Sequence, residues 1–419
     1  MAYVSRVADT ELERRLRRSG AVLIEGVKGC GKTATASQVA RSEVRIDTDP
    51  GVSAFMDADP ARILEGPTPR LLDEWQFQPR LWNYVRRAVD DRSAKGQFIL
   101  TGSATPDQED AAAAARHPGV GRFSMMRMRP MSLWEAGHST GEISLAALRA
   151  GDDARAETPS LTLDSITGLV VRGGWPETLS WPDGEAREYV LDYVDLLANI
   201  DLQRALGIRH DPTRVRRLLR ALARVTSTQA SIATLTRDVA GAGGTFNRET
   251  TTRYLAALER LMVSDDAPAW QTALRDSATL RKAPTRYLVD PSLAAAALGA
   301  TEEKLVAEPK TLGLLFESLA VRDLRVYAAT QRGEVYHYRD SAGREIDVVL
   351  QYPDGWIACE IKLGVGSVDK AAESLKTTVR NIDTQTVGAP DRLVVLTGLG
   401  AGYTRADGVA VIPLSALRP

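Results

Sequence analysis

Cysteine is nearly absent: Cys30 and Cys359 are the only two among 419 residues, and they lie far apart in the sequence. That scarcity excludes a disulfide framework and a cysteine-built zinc site, and it fits a chain working in a reducing cytoplasm. Histidine is almost as rare, with His117, His138, His210 and His337 scattered and without ligand spacing. No histidine is therefore expected to hold a metal. Long apolar runs are missing too. None reaches the ~18 residues that cross a bilayer, and Met1 to Arg18 alternates charges without the apolar stretch of a leader. A soluble chain with no membrane partner is expected. An excess of either charge is lacking: 53 Lys and Arg stand against 54 Asp and Glu, for a net charge of −1. Any polyanion-binding surface must therefore come from local clustering. What remains is an ordinary globular composition, 44% hydrophobic and 26% charged, in a chain long enough for several cores.

The first concentrated chemistry is Gly26-Val27-Lys28-Gly29-Cys30-Gly31-Lys32-Thr33, which follows the apolar run Ala21 to Glu25 and precedes helix-compatible residues from Thr33 to Ala40. Strand, glycine-rich loop and helix in that order form a phosphate cradle. Glycines let backbone N–H groups turn inward, Lys32 supplies a point charge to the outer phosphates, and Thr33 offers a hydroxyl to Mg²⁺. Ala34 continues the lining at the start of the helix. Arg70-Leu71-Leu72-Asp73-Glu74 reads as a strand ending in two carboxylates, Asp73 for the metal and Glu74 to polarise the attacking water. Gln97 to Ser103 reads as a further strand ending in small polar residues; it resembles the strand that presents a polar sensor of the γ-phosphate in ATPases of the AAA type, a likeness that implies this role for Ser103 or Thr101. With Val44 to Asp47 as another strand, the alternation predicts a parallel αβα sandwich binding ATP and Mg²⁺.

The order Gly-Cys-Gly-Lys-Thr, Leu72-Asp73-Glu74-Trp75-Gln76, Leu100-Thr101-Gly102-Ser103, Gly121-Arg122 and Arg172-Gly173-Gly174-Trp175-Pro176-Glu177 resembles a large prokaryotic family. Its members join an AAA-type ATPase of the archaeal-ATPase kind to a carboxy-terminal domain similar to PD-(D/E)XK nucleases. The resemblance covers nearly the whole chain. It implies that Arg122 meets the γ-phosphate, in cis or from a neighbouring copy in a homo-oligomer, where a guanidinium would neutralise developing charge. A plain basic loop is the competing reading, because Arg116, Arg127 and Arg129 are close in sequence.

The middle of the chain is mostly helical, punctuated at Gly151 to Pro159 and Trp181 to Gly184. The Arg172 to Glu177 turn suits helix packing in an ATPase lid. Between Arg214 and Val225, the residues Val215, Leu218, Leu219, Leu222 and Val225 recur at helical spacing, while Arg214, Arg216, Arg217, Arg220 and Arg224 fill the other face. That arginine stripe could track phosphates or could be solvated. Helical patterns at Ile232 to Val239 and Arg248 to Met262, separated by Gly241 to Gly244, predict a winged helix-turn-helix with Asn247, Arg248, Thr250, Thr251 and Arg253 near the start of its recognition helix.

Arg286 to Pro291 reads as a strand leading into the last domain. Glu317 is a lone acid in an apolar helix, and Glu345 to Leu350 and Trp356 to Lys362 read as two strands of a hairpin. A type I′ turn at Asp354-Gly355 would set Asp347 opposite Lys362, with Glu360 on the same face; a three-residue loop would set Asp347 opposite Ile361 and disperse the group. Clustered Asp347, Glu360 and Lys362, with Glu317 completing a metal shell, would suit Mg²⁺-dependent phosphodiester cleavage. Four domains are expected: a P-loop ATPase (1–135), a helical lid (136–213), a winged helix (214–285) and a restriction-endonuclease-like α/β domain (286–419). The expected activity is ATP hydrolysis coupled to a nucleic-acid-acting domain, with DNA as the favoured partner. The alternative is a non-cleaving ATP-dependent switch that binds DNA or a protein, as in a regulator, a toxin–antitoxin pair or a defence system.

Overall fold

The computed structural model describes residues 3–103, 119–157, 161–207, 211–240, 246–272 and 282–419. The chain divides into two compact units, one formed by Met1–Pro130 with Ala257–Val263 and the other by Met131–Ala256 with Ser264–Pro419.

The first unit is built on a five-stranded sheet of β1 (Ala21–Gly26), β2 (Ser42–Arg45), β3 (Arg70–Asp73), β4 (Phe98–Gly102) and β5 (Phe123–Met128), in the order β2-β3-β4-β1-β5. Every pairing is parallel. Parallel strands are covered on both faces, and the apolar runs Ala21 to Ile24 and Phe98 to Leu100 are accordingly buried. Helices α1 (Val7–Leu16), α2 (Lys32–Ser37), α3 (Gly51–Ala58) and α4 (Leu81–Arg92) accompany the sheet. On one side Leu23, Leu72, Leu100, Trp75, Trp82 and Val85 form a single core cluster. The order places β4 between the strands that carry the glycine-rich loop and the paired acids.

The second unit carries helices α5 (Leu163–Arg172), α6 (Asp183–Leu196), α7 (Pro212–Arg224), α8 (Ile232–Ala240), the first part of α9 (Arg248–Arg260), α10 (Pro291–Leu298), α11 (Pro309–Ala329) and α12 (Val368–Arg380). Its strands are β6 (Ile143–Ser144), β7 (Arg155–Ala156), β8 (Glu334–Arg339), β9 (Glu345–Tyr352), β10 (Gly355–Lys362), β11 (Arg392–Thr397), β12 (Gly402–Thr404), β13 (Ala410–Pro413) and β14 (Leu417–Arg418). Seven of them form a mixed sheet in the order β7-β12-β13-β11-β10-β9-β8, and β6 pairs with β14. β10 is parallel to β11 but antiparallel to β9. Both faces of β10 are covered, so Trp356 to Cys359 are fully buried.

Two expectations are corrected here. Residues 285–288 do not join the terminal sheet; they bridge to Thr226 and Gln229 and to Ser264 and Ala267. The pull of the apolar Tyr287-Leu288-Val289 run is satisfied by those neighbours. The hairpin also turns earlier than expected, since Tyr352 pairs with Gly355 and the turn residues are Pro353-Asp354. Neither has a positive φ, and proline's fixed negative φ is incompatible with type I′. The helices expected at Ile232 to Val239 and Arg248 to Met262 are α8 and α9, while the glycine-rich turn expected at Gly241 to Gly244 lies outside the described residues, as do Arg116, His117, Arg209 and His210.

Candidate functional site

The glycine-rich loop leaves β1 at Gly26. A Cβ there would meet the Met128 carbonyl oxygen at 2.4 Å, so only glycine lets β1 and β5 approach at that point. Gly29 and Gly31 have φ of 75° and 97°, the left-handed region that side chains disfavour. Cys30 between them is fully buried, its thiol directed to the Met128 carbonyl at 3.8 Å. The Lys32 ammonium donates to the Gly26 and Val27 carbonyls at 2.9 and 3.1 Å, folded over the loop that precedes it. Lys28 is half-buried, and Ala34 is exposed on the first turn of α2.

Across the sheet, Thr33 Oγ1 donates to Asp73 Oδ1 at 2.7 Å, and the Thr101 hydroxyl donates to the same oxygen. Glu74 follows in the left-handed conformation, φ 54°, an unusual state for a residue with a long side chain. It swings the carboxylate away from the strand direction, where Gln76 Nε2 and Ser103 Oγ (3.3 Å) donate to Oε2. Loop hydroxyl, both acids and the end of β4 thus gather at one edge of the sheet. Thr101 donates to Asp73 and accepts from the Glu74 N–H at 3.4 Å, while Ser103 is the hydroxyl that meets the Glu74 carboxylate.

Arg122 is not brought to this edge. Ala21 N donates to the Arg122 carbonyl at 3.0 Å, and Phe123 pairs with Ala21, so Arg122 stands at the start of β5 while the loop leaves the far end of β1. Five residues at ~3.3 Å each separate the two ends by about 16 Å. Its guanidinium donates to Asp90 Oδ1 at 2.8 Å and to the Val120 carbonyl at 3.1 Å. A γ-phosphate contact within the same chain is thereby corrected, because strand polarity alone sends the residue to the wrong end.

Sequence reasoning gave no role to Arg6 or Gln76. Arg6 is nearly buried and braces the loop from behind, its guanidinium donating to the Cys30 carbonyl at 2.7 Å and the Arg129 carbonyl at 2.9 Å. No motif marks it, since it acts through backbone carbonyls.

In the second unit the register sets Cys359 against Val348, so the next pair brings Asp347 opposite Glu360. Lys362 follows two residues along on the same face. The expected cluster therefore forms through a different register from the one expected. Lys362 Nζ lies 3.0 Å from Asp347 Oδ2 and 2.8 Å from Glu360 Oε2, and Ile361 N donates to Asp347 Oδ2 at 2.9 Å. Asp347 itself sits at a bulge, where the β8–β9 register shifts between Tyr336 and Tyr338, a device that re-aims a side chain. Burial, then the neighbouring Asp347 charge, pushes the Glu360 carboxyl up to about 8, with Lys362 opposing. Burial works against the Lys362 ammonium, but Asp347 and Glu360 outweigh it and raise its pKa.

Glu317 approaches from α11 and accepts from the Tyr287 hydroxyl at 2.7 Å. Burial, then Asp347, raises its pKa well above the carboxylate range. The three-acid metal shell expected of Glu317, Asp347 and Glu360 is not drawn together: among the described residues no group of three His, Cys, Asp or Glu side chains is close enough to hold a metal ion. Lys362 stands between two of the acids and Tyr287 holds the third. Asp347 and Glu360 nonetheless point hard oxygen donors at one cationic centre, the donor chemistry that suits Mg²⁺.

A polar cavity of about 210 Å³ adjoins this cluster, lined by Glu317, Asp347, Gln229, His337 and Arg339 among others. His337 was expected to be a plain strand residue, and it does lie in β8. It is also buried, with Nδ1 3.1 Å from Gln229 Nε2.

The Arg172 to Glu177 turn is explained by packing. A Cβ on Gly174 would meet the Met131 carbonyl oxygen at 2.2 Å, Gly174 N donates to Asp290 Oδ2 at 3.1 Å, and Trp175 Nε1 donates to Ser292 Oγ at 3.0 Å. Asp290 is in turn paired with buried Arg322 at 2.9 Å.

Comparison with known proteins supports part of this reading. Residues 18–137 match a family described as AAA domain, residues 163–304 match a domain of unknown function (DUF8612), and residues 312–417 match another (DUF4143). Uncharacterized proteins of Mycobacterium bovis and Mycobacterium tuberculosis are 26% identical over 365 residues, covering 86% of this chain and 74% of each relative. Among solved structures the chain is similar to a replication initiator DnaA bound to AMPPCP and single-stranded DNA, at 12% identity and a TM-score of 0.28, covering 60% of this chain and 86% of that one. It is also similar to a STAND signal-transduction ATPase with a tetratricopeptide-repeat sensor from Pyrococcus horikoshii, at 12% identity and a TM-score of 0.20, covering 78% of this chain and 48% of that one. The AAA domain match spans the glycine-rich loop, Asp73, Glu74 and Ser103 and supports ATP binding there. Among the described residues, no helix is long and apolar enough to cross a membrane.

Proposed function

We propose that this chain hydrolyses ATP in its first unit and uses that turnover to control metal-dependent cleavage of a nucleic-acid phosphodiester in its second. The observation that carries the first half is the meeting of Thr33 and Asp73 at 2.7 Å, beside Glu74 and Ser103. Loop amides and Lys32 would hold the triphosphate, and Thr33 and Asp73 would hold its Mg²⁺, which supplies charge neutralisation when bound. Glu74, steadied by Gln76 and Ser103, accepts the proton of the attacking water.

For the second half, support comes from the Asp347 and Glu360 carboxylates converging within 3.0 Å of the Lys362 ammonium on a mixed sheet. Asp347 and Glu360 would carry a divalent ion, which supplies an activated water and charge stabilisation when bound. Lys362 neutralises charge on the scissile phosphate, and Glu317, whose carboxyl burial and the Asp347 charge push upward, lines the same cavity as Asp347. Helices α7, α8 and α9 with the bridged residues 264–267 and 285–288 fit a winged helix that would present Arg248 and Arg253 to DNA. Thr251 is withdrawn from that role: it is fully buried, bonded to Thr236 Oγ1 at 2.8 Å.

One observation favours a second reading. Lys362 lies across both carboxylates and no three-acid metal group forms among the described residues, an arrangement that also suits a non-cleaving, ATP-dependent switch on DNA or a protein partner. Purified protein incubated with supercoiled and linear DNA in Mg²⁺ or Mn²⁺, with and without ATP, separates the two. Cleavage lost in Asp347→Ala supports the nuclease; ATP-modulated DNA binding with no product in any metal supports the switch.

A further inference from the structure

Helix α7 divides its surface sharply. Val215, Leu218, Leu219 and Leu222 are buried at 3% exposure or less, while Arg214, Arg216, Arg217, Arg220 and Arg224 are all exposed. Only two of the five make an ion pair among the described residues: Arg216 meets Asp195 at 2.9 Å and Arg214 lies 4.0 Å from Asp211. Arg217, Arg220 and Arg224 have none. They stand three and four residues apart on one stripe, the spacing at which like charges on a helix repel. Among the described residues Asp211 acts on Arg217 without an ion pair and nothing pairs with Arg220 or Arg224; such a row costs helix stability, and its remaining counter-charge is left to a partner.

The geometry specifies what kind of partner. At ~1.5 Å of rise per residue the stripe from Arg217 to Arg224 covers about 10 Å of axis, which matches roughly three phosphates of one duplex strand at ~3.4 Å of axial rise. Guanidinium forks suit phosphate oxygens. The exposed face of α7 carries no aromatic or large apolar side chain, the anchor that a protein partner would need. Exposed arginines continue on α9, where Arg253 and Arg214 of α7 both act on the Tyr254 hydroxyl against Asp211, and Arg248 and Arg253 are exposed on either side of exposed Glu249.

We propose that the outer face of α7, through Arg217, Arg220 and Arg224, binds the sugar-phosphate backbone of a nucleic-acid duplex. This surface extends the nucleic-acid reading above to a second place on the chain and does not need the Asp347 cluster. Its test is therefore run with cleavage switched off, in the full-length Asp347→Ala protein in EDTA. The readout is the fluorescence anisotropy of a labelled duplex across a KCl series. Each phosphate contact contributes ~0.9 to the slope of log K against log salt. Replacing the three arginines together with glutamine flattens that slope by about 2.7, and replacing them with lysine preserves it. Arg17→Gln with Arg155→Gln, equally exposed arginines elsewhere, leaves it unchanged. If the triple variant loses helicity by circular dichroism, the single Arg→Gln variants serve instead, each expected to remove about 0.9. An unchanged slope in folded glutamine variants overturns the proposal, as does a parent protein that ignores duplex. So does one that binds poly-glutamate instead through the same arginines, which would assign the face to an acidic protein. Cleavage is assayed separately in Mg²⁺ with Asp347 intact, so the two readings fail independently.

Discussion

Thr33 at the end of the glycine-rich loop and Asp73 at the end of β3 are joined by a 2.7 Å hydrogen bond. In the proposed reading these two groups would hold the nucleotide's metal, and Thr101 donates to the same Asp73 oxygen. Asp73→Asn keeps the shape and one acceptor but removes the charge that attracts Mg²⁺. Affinity for a fluorescent ATP analogue is expected to be almost unchanged in EDTA and about ten- to a hundred-fold weaker than wild type in Mg²⁺, since charge-assisted contacts are worth about 1.5–3 kcal/mol. Equal Mg²⁺ dependence in the two proteins would remove Asp73 from the metal shell.

Glu74 does different work from its neighbour, because its left-handed backbone turns its carboxylate toward Gln76 and Ser103 rather than toward Thr33. Glu74→Gln should therefore bind nucleotide normally and release phosphate about 10²–10⁴-fold more slowly, the usual contribution of a positioned base. Ser103→Ala should fall between the two. A Glu74→Gln protein with wild-type turnover assigns the base elsewhere.

Arg6 offers a test of the loop's support. Its guanidinium holds the buried Cys30 carbonyl and the half-buried Arg129 carbonyl, so Arg6→Met removes this donor from both and lets the loop relax. ATP affinity is expected to drop by about tenfold, in line with the loss of one or two buried charged hydrogen bonds, while hydrolysis per bound nucleotide is kept. A drop in turnover at saturating ATP with unchanged affinity would contradict this support role.

The loop and the paired acids were legible in the sequence because both are local: fixed glycine spacing and an apolar run ending in carboxylates dictate strand, turn and helix without help from distant residues. Asp347, Glu360 and Lys362 were legible for a weaker reason. Strand periodicity puts them on one face under any register of the right parity, so the cluster survived an error in the turn. What escaped was whatever depends on long-range placement. Arg6 works through carbonyls that any residue could present. Arg122 reads in the sequence as a phosphate ligand in cis or from a neighbouring copy, and the direction of β5 puts it at the end of its own sheet opposite the loop, which leaves only the neighbouring copy. Glu317 was correctly seen as a lone acid among apolar residues, but its hydrogen bond to Tyr287 joins residues that sequence spacing cannot bring together.

His337 makes a pH prediction. Burial, aided by Lys282 and Arg339 and opposed by the Ala283 carbonyl, lowers its pKa to about 4, against about 6.5 when unfolded. A depressed folded-state pKa means the neutral ring's contribution is complete above pH 6.5 and is lost as pH falls through 4, because the unfolded chain takes up the proton first. The shift corresponds to about 3 kcal/mol. Urea unfolding of wild type should lose that much between pH 7 and pH 4 beyond the loss seen in His337→Gln. Parallel losses in both proteins would show that the ring is not held neutral.

Arg322 is the strongest test of the Gly-Gly-Trp turn. Its guanidinium is 2% exposed and lies 2.9 Å from Asp290 and 2.7 Å from Asp323, whose side chains are fully buried. Asp290 also receives the Gly174 N–H at 3.1 Å, and Asp323 the Leu133 N–H at 2.9 Å, so one cation anchors two acids that in turn hold two loops. Arg322→Met preserves much of the volume but strands both carboxylates, which should cost about 3–5 kcal/mol in urea unfolding. Adding Asp290→Asn and Asp323→Asn removes the uncompensated charges while keeping acceptors for both N–H groups. That triple variant should recover most of the loss, because replacing a whole buried ionic cluster is far milder than breaking it. If the single and triple variants are equally unstable, the arginine contributes through packing alone, and the turn is held by the contacts of Trp175 rather than by charge.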